Sequence, residues 1–268
     1  MTNLSQAVRA TSVAAAFFLI CGAARAAEPT SMTWSVQGVE RQALVFAPAA
    51  GGARAPVVFV FHGHGDTMHG AANGMGFQER WPEAVVVYMQ GLPTVSKVDP
   101  EGRERGWQHD VGDEGDRDLH FFDTALAALR ARYPIDDRRI YATGFSNGAA
   151  FSYVLWSARG STLAAIAACA GRIAPGFQRA TNPVPLLHIA GKTDKLVPFD
   201  VQMRTVDAAR GLDGADGGEG ASCGEGCTRY ASTKKAPVVV LVHPGGHVFP
   251  SFAATRIVEF FKMQTLSR

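Results

Sequence analysis

The chain has 268 residues, 47% of them hydrophobic and 19% charged, enough for one globular domain with a sizeable core. Of its 26 Lys/Arg and 24 Asp/Glu residues, Arg9 and Arg25 fall in an N-terminal leader without acids, so the remainder is charge-balanced. With neither a basic stripe nor an acidic tail, the composition excludes charge-driven nucleic-acid binding and favours neutral substrates over polyanions.

Residues 1–26 read as a secretory signal peptide. Arg9 precedes the apolar run 13–24, and Ala24-Arg25-Ala26 supplies the small-x-small cleavage pattern. A membrane anchor needs about 20 apolar residues, more than this run has. Lipid attachment at Cys21 is disfavoured because Ile20 stands where a small residue is expected. The expectation is a periplasmic or extracellular protein with no membrane anchor after cleavage and a single domain over 27–268. Export permits disulfides. Cys223 and Cys227 lie in a glycine-rich loop where a tight bridge is plausible; zinc is the rival reading, but no second thiol pair follows. Cys169, inside an apolar run, reads as a small buried hydrophobe.

In chain order, 32–36 and 41–46 predict an opening hairpin. Residues 56–61 (PVVFVF) are a continuous apolar run, the mark of a strand buried on both faces. A helix is predicted over 71–81 and a second buried strand over 84–88 (AVVVY). The polar stretch 90–117, with Pro93, Pro100, Gly102, Gly106 and Trp107, is a long loop of the kind that is functional or disordered. Asp118 is expected to cap a helix whose Leu119, Phe121, Phe122, Ala125, Leu126 and Leu129 fall at helical spacing. A strand over 139–143 leads through Gly144-Phe145-Ser146-Asn147-Gly148 into a helix over 149–156. Strands follow at 163–170, 184–190 and 237–242, with helices at 200–212 and 252–263; 211–226, carrying seven glycines, reads as a loop. Alternating apolar strands and helices predict an α/β domain with a mostly parallel sheet, its ligands at the carboxyl ends of the strands.

A G-x-S-x-G between strand and helix is the pattern of a nucleophile elbow. It puts the serine at the apex of a sharp turn, where glycines let strand and helix approach closely. A serine hydroxyl needs a base, and the base an acid to orient it. On this type of fold the order is serine, acid, histidine. His247, on a loop after two glycines, is the preferred base over His243, which ends a strand. Asp194, a few residues past a strand, is preferred over Asp200, which resembles a helix cap. Two N–H donors for an oxyanion are expected from the backbone of Asn147 and of His64, in the turn His62-Gly63-His64-Gly65. Trp107 has two readings of equal weight: an aromatic wall of the substrate pocket, or a pin for its loop.

The same turn has a rival reading. His62-x-His64-x-Asp66, with His69 nearby, is similar to a hydrolytic zinc motif, but Thr67 stands where that motif needs histidine. It would also leave Ser146 and His247 without a role. A catalytically silent binding protein on the same scaffold is the reading from a different class, and a peptidase has nothing in the sequence to select it.

Phe61–Gly65, the Gly-Phe-Ser-Asn-Gly elbow, Gly191-Lys192-Thr193-Asp194 with Val197-Pro198, and Gly245-Gly246-His247 with Pro250 occur in succession. Together they resemble the secreted esterases related to poly(3-hydroxybutyrate) depolymerases and feruloyl/acetyl-xylan esterases, over roughly 42–262. The resemblance implies an α/β-hydrolase fold, no cofactor, and a triad of Ser146, Asp194 and His247. It implies a small ester or an ester-decorated polysaccharide or oligomer as substrate. Many such relatives have cysteine where His64 stands. Depolymerases also carry a linker and a polymer-binding domain; neither is read here, which argues against crystalline polyester.

Overall fold

The computed structural model describes residues 28–48 and 53–266; the leader and Cys21 lie outside them. Strands β1 (Thr30–Val36) and β2 (Val39–Phe46) form the expected hairpin. Its two-residue turn places Gln37 and Gly38 at φ 52° and 79°, the positive pair that matches strand twist. The continuous apolar runs become β3 (Ala55–Phe61), β4 (Val85–Met89), β6 (Ala165–Cys169) and β7 (Leu186–Gly191), each buried along its whole length. Between them in sequence is β5 (Ile135–Phe145); β8 (Ala221–Gly224), β9 (Cys227–Tyr230) and β10 (Val238–His243) complete the main sheet, and within the long loop Leu92–Pro93 pairs with Arg105–Gly106 as a separate short ribbon.

The sheet order is β1-β2-β4-β3-β5-β6-β7-β10-β9-β8. The strands from β4 to β10 in that order run parallel, while the hairpins at either edge are antiparallel. Helices cover both faces, which is why the central strands lack polar alternation. On one face α3 (Arg117–Arg132), α4 (Asn147–Arg159) and α5 (Phe199–Asp213) bury Phe121, Phe122, Phe151 and Val206. On the other, α1 (Met68–Met75), α2 (Phe77–Arg80) and α6 (Ala253–Lys262) bury Met68, Phe77, Ile257 and Phe261. Phe261 stacks on Tyr141 of β5 at 4.6 Å between ring centroids, and burying such a ring contributes about 1.5–3 kcal/mol.

The structure departs from the sequence reading in particular places. The helix read over 71–81 is two helices, broken at Gly76, whose φ of 58° ends α1. Asp118 is not a cap. It lies inside the first turn of α3, its carboxylate buried against Arg41 at 2.7 Å, while Gln108 Oε1 accepts from the Asp118 N–H at 3.1 Å. The glycine-rich stretch 211–226 is not all loop. α5 runs on to Asp213, and 221–224 pairs with β9 as the edge of the sheet, Cys223 and Cys227 being bonded across that hairpin.

Candidate active site

β5 delivers Ser146 to its position. The strand ends at Phe145, α4 begins at Asn147, and Ser146 alone makes the turn, at φ 56° and ψ −116°. Such a conformation costs a residue with a Cβ about 1–3 kcal/mol. It is held by the Ser146 N–H donating to Cys169 O on β6 at 2.9 Å, and by Ser146 O accepting from the Ala150 N–H at 3.0 Å. A Cβ on Gly148 would collide with the carbonyls of Phe61 and His62, and one on Gly144 with the backbone of Gly148. Both glycines exist so that strand and helix can close on β3.

The loops after β7 and β10 bring Asp194 and His247 to the same edge. Asp194 Oδ1 accepts the N–H groups of Leu196 and Val197, each at 2.9 Å. Its Oδ2 accepts from His247 Nδ1 at 2.8 Å and from Gln202 Nε2 at 3.1 Å. The carboxylate is fully buried, so its lone pairs are taken up by four donors rather than by water. A carboxylate can only accept, so His247 carries its proton on Nδ1. Its Nε2 is then bare and accepts from Ser146 Oγ at 2.8 Å. The three side chains are thus joined in one direction, from hydroxyl to imidazole to carboxylate.

The turn after β3 faces the serine. The backbone N–H groups of His64 and Asn147 donate to no other group among the described residues. His64 also lines, with Ser146 and Asn147, a cleft of about 420 Å³ whose other walls include Ile173, Leu196 and Val197. The His64 Nε2 lies 3.3 Å from Asp99 Oδ2 and from Ser96 Oγ, so the long loop and the turn meet at the mouth of the cleft.

The other candidates are placed elsewhere. His243 is buried and its Nδ1 accepts from the Gly245 N–H at 3.2 Å; burial lowers its pKa. Asp200 is exposed in the first turn of α5 and pairs with Arg204 at 2.6 Å. His62 is fully buried, donating from Nδ1 to Gly63 O at 2.7 Å and accepting at Nε2 from the Gly91 N–H at 3.0 Å. Its ring is spent on the backbone, and among the described residues His62, His64 and Asp66 form no metal-binding group.

Trp107 requires a correction: it is not a wall of the cleft. It is 0% exposed, stacked on Phe151 at 5.4 Å and set edge-on to Phe61, with its indole N–H donating to His62 O at 2.9 Å. The aromatic ring and its single donor are both satisfied inside the core, so the residue pins its loop. Gln202 was not picked out from the sequence. It is a polar residue on the buried face of α5, beside Thr205 and Val206, and that misfit was the available signal.

Comparison with known proteins bears on the fold and the family. A bifunctional acetylxylan esterase/xylanase from Neocallimastix patriciarum is 28% identical over 61% of this chain and 23% of its own length. A probable feruloyl esterase C from Aspergillus flavus is 30% identical over 54% of this chain and 50% of its own. The chain thus matches no more than half the length of these curated relatives. The acetyl xylan esterase from Aspergillus awamori superposes with a TM-score of 0.70 over 87% of this chain and 99% of its own at 12% identity, which shows a shared α/β-hydrolase fold. Residues 44–212 match the Phospholipase/Carboxylesterase family, and the chain belongs to it and is related to feruloyl and acetylxylan esterases.

Proposed function

We propose that the chain is a serine esterase that hydrolyses carboxylic esters through an acyl-enzyme. The observation that carries this is the pair of 2.8 Å hydrogen bonds at His247, one from Ser146 Oγ and one to Asp194 Oδ2. In the first step Ser146 Oγ bonds to the ester carbonyl carbon while its proton passes to His247 Nε2. His247 then protonates the leaving alkoxide as the ester C–O bond breaks, and the alcohol departs. In the second step a water gives its proton to His247 and its oxygen bonds to the acyl carbon. Ser146 Oγ leaves with the proton, and the acid is released. Asp194 holds the Nδ1–H tautomer and stabilises the imidazolium without taking the proton. The His64 and Asn147 N–H groups donate to the oxyanion in both steps; losing one such donor costs about 10²–10³-fold in rate.

The names of the relatives point to feruloyl or acetyl esters on a polysaccharide as the substrate class. A cleft of about 420 Å³ has room for an acyl group of that size. We assign residues 1–26 as an export leader, the site to periplasm or exterior, and 27–268 to one catalytic domain needing no cofactor. The test is p-nitrophenyl butyrate hydrolysis by the mature protein beside Ser146→Ala, with and without EDTA. The substitution should lower kcat by at least about 10⁴-fold, and EDTA should change nothing. Activity that survives the substitution ends this reading, and its loss to EDTA would return attention to His62, His64 and Asp66.

A further inference from the structure

Behind Asp194 lies a buried polar chain that the reaction as written does not use. Gln202 on α5 is 0% exposed, and its Nε2 donates both to Asp194 Oδ2 at 3.1 Å and to Val197 O at 2.8 Å. Both partners can only accept, so the amide nitrogen must face them and Oε1 must face the other way. There it lies 3.1 Å from His188 Nε2 on β7, a ring also 0% exposed. Oε1 accepts only, so His188 carries its proton on Nε2 and leaves Nδ1 bare. Tyr153 of α4 supplies the missing donor, its hydroxyl 2.7 Å from Nδ1. Every donor is matched to one acceptor, and no member can turn over without setting two acceptors or two donors face to face. Burial, in addition, lowers the His188 pKa to about 4 and so keeps the ring neutral.

We propose that Tyr153, His188 and Gln202 are positioning residues that lock the Asp194 carboxylate to face His247. The proposal rests on the Ser146–His247–Asp194 reading above. Its physical content is twofold. The Gln202 N–H fixes the rotation of the carboxylate, so that Oδ2 meets His247 Nδ1. It also withdraws charge from Oδ2, which moderates the pull on the imidazolium. Removing that donor leaves more charge on Oδ2 facing His247 and so a better-stabilised imidazolium. Three buried polar side chains bonded in line from α4 through β7 to α5 would be a costly arrangement if they only filled space.

Gln202→Met keeps length and volume and removes both donor and acceptor. With wild-type fold by circular dichroism, it should lose about 10- to 100-fold in kcat, the range for residues that orient a reacting group, with KM within about twofold. The acid limb of kcat/KM should move to higher pH. Titratable groups that share this region are His243 and Cys169 against Asp194, and Asp213 towards Tyr153. None of them is altered by the substitution. Tyr153→Phe is the second variant: it deletes one oxygen, leaves His188 Nδ1 without its donor and so loosens the ring that donates to Gln202 Oε1. It should show the same split with a smaller loss, about three- to tenfold. Ser146→Ala in the same series must be inactive; if it is active, the underlying reading fails rather than this one. With Ser146→Ala inactive, folded Gln202→Met with kcat within twofold and an unmoved acid limb overturns the proposal. So does a loss in which KM changes and the limb does not. If Gln202→Met does not fold, Tyr153→Phe decides by the same criteria.

Discussion

Trp107 and Asn147 hold each other by a reciprocal pair of hydrogen bonds. The Trp107 N–H donates to Asn147 Oδ1 at 2.7 Å, and Asn147 Nδ2 returns a bond to Trp107 O at 3.2 Å. The residue beside the nucleophile is therefore tied by its side chain to the long loop over 90–117, while its backbone N–H stays free for an oxyanion. The Trp107 ring anchors that loop in the core with Phe61 and Phe151. Trp107→Ala should cost about 3–5 kcal/mol in urea unfolding, as for other buried aromatics cut to alanine. Surviving activity should fall by the same factor on feruloyl and acetyl esters. A selective loss on the aryl ester would put the ring back in the substrate pocket.

The acid can be assigned by charge alone. Asp194→Asn keeps the shape but removes the charge that fixes the His247 tautomer. An amide N–H facing Nδ1 would move the ring proton to Nε2, where it can no longer accept from Ser146. The expected drop in kcat at neutral pH is about 10⁴-fold. Asp200→Asn, in the exposed pair with Arg204, should stay within about twofold of wild type. Reversed results would move the acid to Asp200.

What the sequence made legible was whatever repeats at short range. The apolar runs at 56–61 and 184–190 name themselves as buried strands, found at Ala55–Phe61 and Leu186–Gly191, because both faces are covered. The elbow is legible because a five-residue turn contains its own cause, the two glycines that strand and helix must cross. Long-range polar matching was not legible. Gln202 and His188 look like isolated polar residues on a helix and a strand, and only the fold brings them to 3.1 Å. Arg41 and Asp118 meet across 77 positions, so the sequence offered Asp118 only the local role of a cap. The strand over 221–224 had no apolar alternation to announce it, since its pairing is backbone to backbone at an exposed edge.

That misplaced cap gives a sharp contrast in magnitude. Loss of an N-cap costs about 1 kcal/mol, whereas removing one partner of a buried ion pair costs about 3–5 kcal/mol. Arg41 and Asp118 are both closed to solvent, and Asp118 Oδ2 also accepts the Gln108 N–H at 2.8 Å. Arg41→Met should therefore destabilise by the larger amount in chemical denaturation, because it takes from the buried carboxylate its one hydrogen-bonded cation and leaves only Arg117, at 3.7 Å. A cost near 1 kcal/mol would mean that the pair is solvated in the working protein.

Asp213, at the end of α5, sets a pH dependence of stability. Its Oδ1 accepts the Val184 N–H at 3.0 Å, and its Oδ2 has no hydrogen-bond partner among the described residues. Burial pushes its pKa up to about 8, so the folded protein holds this carboxyl protonated at neutral pH. In the unfolded chain the value returns to about 3.9. Below that both states carry the proton and the fold suffers no penalty. Above it the unfolded chain releases the proton first, so stability falls steadily until about pH 8 and then levels off. Asp213→Asn keeps the acceptor for Val184 and cannot ionise. Its melting temperature should match the wild type near pH 4 and exceed it increasingly towards pH 8. Parallel melting curves for the two proteins across that interval would mean that Asp213 is charged in the fold, with water reaching Oδ2.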